Sequence, residues 1–406
     1  VNRARLALAA LLALVPAGCG RPTPRVTEVA FWDYAPESAV LPLVRAFERE
    51  HPGIRVALKT LSHDGGGDTL AAALAAGRPP DLCQLGSDDM PAFLASGVLS
   101  DWSAGVADLR DSLRGWPMCM VGDAIYGLPW TLDARALFFN RSLLARAGLD
   151  PSRPPATWDQ LYAAAARVQA LGHGVHGMGV VADTGQALIE TFLPFAWGND
   201  GEILSARLDS SRFDSPENVA ALAFYLRLRR AGALAPRDSL EREFARGRLG
   251  LLVTGAWVLG GTGARPGPDV GVALVPRPAA DRGEHASFAG GEMLASFTRS
   301  RHKEDGLRLA RFLVRPENLR TLTGAWQELQ PATAGADTLE FYRSRPDQQV
   351  LVRQLAEAHF PPHHPRWGEM RRAITDEVGE ALADRKTAAR AIADADARIA
   401  DLAGRQ

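Results

Sequence analysis

The sequence predicts an α/β fold in two domains. Three observations carry that prediction. The chain has 406 residues, against roughly 100–200 for an ordinary domain. Its composition, 46% hydrophobic and 23% charged, is that of a globular protein able to bury a large core. Strand-like and helix-like segments also alternate from residue 26 onward, which implies a parallel sheet covered on both faces by right-handed crossovers.

The elements follow in order. "VTEVAFWDY" (26–34) is apolar and aromatic enough for a strand. In the next stretch Val40, Val44 and Phe47 recur at helical spacing, and the helix is expected to stop at Pro52-Gly53. "IRVALKT" alternates Ile54, Val56 and Leu58 as a strand does, "GGGDTLAAALAAGRPP" reads as an Ala/Leu helix closed by Gly77 and Pro79, and "DLCQL" is a third strand. Further along, "DARALFFNRSLLARAGL" predicts a strand leading into a short helix, and "ATWDQLYAAAARVQAL" a helix capped by Thr157. "LGLLVTGAW" and "VGVALVP" read as strands. "HKEDGLRLARFLVRPEN" reads as an amphipathic helix with Leu307, Ala310 and Leu313 on one face.

The N-terminus carries Arg3 and Arg5, an apolar run from Leu6 to Val15, and small residues ending at Cys19. That is the layout of a secretory signal, and the run is too short to span a bilayer. "PAGC" resembles a bacterial lipobox, with Pro16 where that motif usually has Leu. The expectation is a signal peptide over 1–18, a lipid-bearing Cys19 anchoring the chain to a membrane, and a linker over 19–25. Cys83 and Cys119 are then left, either bridged in an oxidising compartment or free and buried. A formal net charge of −1 and the lack of a sustained Lys/Arg block exclude a nucleic-acid footprint.

In open α/β sheets ligands bind outside the carboxyl ends of the strands. Trp32-Asp33-Tyr34, Ser62-His63-Asp64 and Ser87-Asp88-Asp89 all leave the sheet at that edge. Of Asp88 and Asp89, one is expected to cap the helix that follows and the other to face a ligand. Trp32 belongs either to the core or to a cleft wall.

Six segments in this order, "FWDY…LPLVRAFEREHPGIRVALKTLSHD", "LAAGRPPDLCQLGSDD", "YGLPWTLDARALFFNRSLLARAGLDP", "PATWDQL", "FAGGEMLASF" and "RWGEMRRAITDEVGEAL", resemble the family 1 extracellular solute-binding proteins, the sugar-capturing subunits of bacterial ABC importers. The resemblance implies a two-lobe periplasmic-binding-protein fold (type II-like). Its discontinuous lobes, 26–132 plus 288–325 and 133–287 plus 326–406, would be joined by a hinge. It implies a carbohydrate ligand, ABC permease subunits as partners, a monomer, and an extracytoplasmic location. Carried over residue by residue, it places Asp88 and Asp133 at sugar hydroxyls and Trp257 and Trp367 as stacking platforms, with Trp32, Ser62, Trp130 and Glu292 as further cleft residues. This suits the ligand, since a pyranose offers hydroxyls at its rim and C–H on its faces. The Pro-rich "FPPHHP" makes Trp367 the opening of a helix; extrapolation from Ile374 also places it on the core-facing side, which is the alternative.

The sequence contains no G-x-S-x-G, no G-x-x-x-x-G-K-[ST] and no H-E-x-x-H motif. His173 and His176 stand in a Gly-rich loop without a third ligand nearby. No cofactor, metal or catalysis is expected. The competing readings are a secreted glycoside hydrolase using two cleft carboxylates and a metal or siderophore carrier of the same shape.

Overall fold

The structure, a computed structural model, describes residues 26–62, 66–183, 185–259, 270–326, 330–335 and 340–404. Cys19 and the leader before it lie outside these residues, as do His63 and Asp64. No described helix is long and apolar enough to cross a membrane.

Two large sheets organise the chain. In the first, Thr27–Asp33 pairs in parallel with both Ile54–Thr60 and Leu82–Gly86. The helix Glu37–Glu50 makes the first crossover, burying Ala39, Val40, Leu43, Val44 and Phe47 along one stripe. Beyond Leu82–Gly86 the sheet turns antiparallel: Ser287–Ala295 pairs with it on one side and with Leu128–Ala134 on the other. That late return is invisible to local periodicity, because the partner strands lie some two hundred residues apart.

The second sheet runs Val270–Ala273, Ala136–Asn140, Leu249–Thr254, His176–Val181, Gly232–Ala235. Thr157 caps its helix by accepting from the Gln160 amide, and Asn140 does the same for Leu143. One core lies around the first sheet and includes Phe31, Phe47, Trp130, Leu294 and Phe312. A larger one surrounds the second sheet, and the two C-terminal helices Trp367–Leu382 and Ala388–Ala403 pack into it.

The chain passes from one sheet to the other through a single residue, Arg135, between Leu128–Ala134 and Ala136–Asn140. It returns through residues 274–286. The expected division puts everything after residue 325 in the second lobe, but Gln330–Pro331 pairs with Leu132 and Thr131 in the first sheet. Backbone pairing draws this short strand back.

Candidate functional site

The first sheet delivers carboxyl groups from three strands. After Leu82–Gly86 the chain makes a tight turn, with the Asp89 amide donating to Gly86 O at 3.1 Å, and the helix Met90–Ala95 starts there. Asp89 holds the N-cap position but makes no side-chain cap bond, so the expected division of labour is not found. Asp88 instead turns to Arg371, whose Nη1 is 3.4 Å from Asp88 Oδ2. Burial pushes the Asp88 carboxyl up, with Glu190 adding and Arg371 opposing.

Glu292 stands in register with Gly86 on one side and Thr131 on the other, so it shares a sheet face with the site rather than with solvent. Gly291 before it has φ +152°, and a Cβ there would stand 2.2 Å from Thr131 O. Only glycine fits this close approach. Burial pushes the Glu292 carboxyl up to about 7; the Gln84 side chain opposes this, and the carboxylates of Asp88, Asp133 and Asp89 reinforce it.

Arg135, at the passage between sheets, is 4% exposed. Its Nη1 donates to Asp133, its Nε to Glu190 Oε2 at 3.1 Å, and its Nη2 lies 2.6 Å from Glu190 Oε1. Burial raises the Asp133 carboxyl and Arg135 pulls it back. For Glu190 burial acts the same way, but Arg135 and Arg237 together outweigh it and hold the carboxyl below its ordinary value.

Three helices around the second sheet close the set. The first turn of Gln186–Gly198 places Gln186 and Glu190 on one face, joined at 3.1 Å. Arg237–Ala245 contributes Arg237, 3.0 Å from Glu190 Oε2, and Glu241, which accepts from Trp257 Nε1 at 2.8 Å and Thr254 Oγ1 at 2.7 Å. Trp367–Leu382 contributes Arg371, which donates to Gln186 Oε1 at 2.6 Å. A continuous chain of charge-assisted contacts therefore runs from Asp88 through Arg371, Gln186, Glu190 and Arg135 to Asp133. Such contacts are the strong hydrogen bonds, and low dielectric strengthens them further.

The sequence-expected residues fare unequally. Asp88, Asp133 and Glu292 lie close enough to act on one another electrostatically, and Trp257 joins them through Glu241. Its ring carries the guanidinium of Arg135 at 4.7 Å and that of Arg237 at 5.4 Å. Trp32 is half-buried under the Lys59 ammonium, 4.1 Å from its ring, and Ser62 is exposed; neither joins the charged chain.

Two tryptophans are corrections. Trp130 is fully buried, edge-on to Phe31 at 6.2 Å. It sits in mid-strand, in a segment whose seven residues are all buried. Trp367 is 1% exposed and continues the stripe of Met370, Ala373, Ile374 and Val378 that packs on the second sheet. Both are core residues. Cys83 and Cys119 are buried and free.

Sequence reasoning missed Arg135, Gln186, Glu190, Arg237, Glu241 and Arg371. Two carried a usable signal: a lone arginine within "WTLDARALFF" and a lone carboxylate within "ALIETFLPFAW". A charge inside a buried run must be paired.

Residues 32–319 match the model of the bacterial extracellular solute-binding protein family, and the chain belongs to that family. A binding protein of Brucella abortus (strain 2308) is 25% identical over 342 residues, 80% of each chain. The diacetylchitobiose binding protein DasA of Streptomyces coelicolor is 28% identical over 244 residues, 56% of this chain and 54% of that one. Among solved structures, the cyclic alpha-maltosyl-1,6-maltose binding protein from Arthrobacter globiformis matches with a TM-score of 0.83 at 24% identity, covering 94% of this chain and 100% of that chain. The two sheets are thus the two lobes of a solute-binding fold, and the charged chain bridges them.

Proposed function

We propose that this chain is the capture subunit of a bacterial ABC importer, holding a carbohydrate between its lobes and performing no chemistry on it. The observation that carries the reading is the convergence of Asp88, Asp133 and Glu292 from the first sheet on Gln186, Glu190 and Arg371 from the second. Carboxylates accept from sugar hydroxyls and guanidinium groups donate to them, and each is strongest where water is excluded. The diacetylchitobiose and cyclic maltosyl-maltose relatives support a saccharide as the ligand class.

On this reading the lobes are 26–132 plus 288–325 and 133–287 plus 326–406, with Gln330–Pro331 lent back to the first sheet. The protein works as a monomer, anchored outside the cytoplasm by a lipid on Cys19, and hands its ligand to the permease subunits. The test is a thermal-shift screen of the mature chain against mono- and oligosaccharides. A true ligand at a hundred times its dissociation constant adds about 2.7 kcal/mol of stability. Oligosaccharides incubated with the protein should remain intact on thin-layer chromatography. No shift across the panel overturns the carbohydrate reading; cleavage products overturn the claim that no chemistry is done.

A further inference from the structure

Beside the charged chain lies a pocket of about 240 Å³ that none of its residues lines. One wall is the helix Met90–Ala95, with Met90, Pro91 and Leu94 facing inward. The opposite wall is the segment carrying His363 and Pro365, and Tyr126 and Val121 complete the lining. Both walls lead directly to the site. The helix begins one residue after Asp88-Asp89, and the 363–365 segment runs into the helix that carries Arg371. The Asp88–Arg371 contact at 3.4 Å ties the same two elements together, so the pocket adjoins the Asp88 end of the cleft.

Its chemistry is apolar with one polar group. His363 Nδ1 lies 2.8 Å from Met120 O. A carbonyl only accepts, so Nδ1 carries the proton. Burial holds the imidazole below its usual pKa, which keeps the ring neutral and makes Nε2 an acceptor. The size is equally restrictive. A dry cavity of about 150 Å³ admits benzene, whereas pockets for whole drug-sized ligands begin near about 300 Å³. The space suits one substituted ring, too small for a disaccharide and too apolar for a pyranose.

We propose that this pocket receives an apolar ring attached to the carbohydrate in the cleft, a single ring bearing one hydrogen-bond donor for His363, so that the captured solute is an aryl glycoside rather than a bare oligosaccharide. The inference rests on the carbohydrate reading. The test uses the mature chain and matched pairs of probes, the methyl and 4-hydroxyphenyl glycosides of glucose, galactose and N-acetylglucosamine, titrated by calorimetry. For the sugar that binds, the aryl member should bind at least tenfold tighter than the methyl member. Leu94→Trp, which fills the pocket, should reduce that ratio to about one. Val121→Asp, on a hairpin where the side chain is 42% exposed, should do the same by setting a charge in the pocket without touching the core. Equal affinities within a pair that binds would overturn this inference and leave the carbohydrate reading standing. A tenfold ratio unmoved by both variants would overturn the pocket as its source. Absence of binding by every probe and every sugar of the thermal-shift panel would overturn the carbohydrate reading, and this inference with it.

Discussion

The guanidinium of Arg371 stands 3.4 Å from the carboxylate of Asp88, and the two residues belong to different lobes. The same Nη1 is held on its own lobe by Gln186 at 2.6 Å. A contact made only when the lobes approach favours the closed state by its own differential energy. Arg371→Ala should therefore enlarge the radius of gyration of the unliganded protein in solution scattering and weaken ligand binding severalfold, since apparent affinity scales with the population of the binding-competent state. Scattering curves that superimpose for parent and variant would show that the bridge does not hold the lobes.

Arg135 and Arg237 both serve Glu190, in different surroundings. The Arg135 side chain is 5% exposed and the Arg237 side chain 31%. Removing the first leaves Asp133 and Glu190 buried without their main counter-charge, which costs about 3–5 kcal/mol. Arg135→Met should show that loss in urea unfolding. Arg237→Met should lose about 1 kcal/mol or less, as for a solvent-screened pair. Similar losses for the two variants would mean that burial does not set their difference.

How much of this was legible in the sequence depends on distance along the chain. The strand of Trp32, the strand of Cys83 and the helix between Val40 and Phe47 announce themselves by spacing, because each pattern closes within a few residues. Glu292 could be placed at the cleft only through the family resemblance: its neighbours Gly86 and Thr131 are more than a hundred and fifty residues away. Arg371 looked like an ordinary helix-surface arginine, since nothing local marks Asp88 and Gln186 as its partners. The tryptophans misled for a different reason. A large aromatic beside polar residues signals a cleft only if one of its faces is open, and burial from a distant layer closed both Trp130 and Trp367.

Asp33 predicts an unusual pH dependence. It is fully buried, and neither carboxyl oxygen has a hydrogen-bond partner among the described residues. Burial pushes its pKa up from 3.8 to about 7, with Thr60 opposing and Glu37 adding. Between about pH 4 and about pH 7 the folded protein holds a proton that the unfolded chain has released, so stability falls as pH rises through that window and levels off above it. A shift of about three units corresponds to at most about 4 kcal/mol. Asp33→Asn, neutral throughout, should be more stable than the parent at pH 8 and should lose this part of the slope. Parallel pH–stability curves for the two proteins would refute the assignment.

Cys19 is expected to anchor the mature chain outside the cytoplasm. In a bacterial host, labelled fatty acid should enter the parent protein and not Cys19→Ser, and the variant should leave the membrane fraction. Unchanged fractionation would remove the lipid from the account. Export itself rests on the preceding apolar run and would survive that result.

Trp367 separates packing from recognition. It opens the helix Trp367–Leu382, follows a Pro-rich segment and neighbours Arg371 on the same helix, all of which suits a cleft residue. Yet its side chain is buried with Met370, Ile374 and Val378 against the second sheet. Large aromatic to alanine changes in a core lose both the transfer energy and the cavity, about 3–5 kcal/mol together. Trp367→Ala should thus lower the urea midpoint of the unliganded protein by a corresponding amount. Trp367→Phe, which keeps most of the volume, should lose distinctly less. A stacking platform would behave in the opposite way, with a nearly unchanged midpoint and a tenfold or greater loss of affinity, about 1.4 kcal/mol. Measuring unliganded unfolding and calorimetric affinity on the same two variants decides the matter, and an intact midpoint with lost affinity would return Trp367 to the cleft.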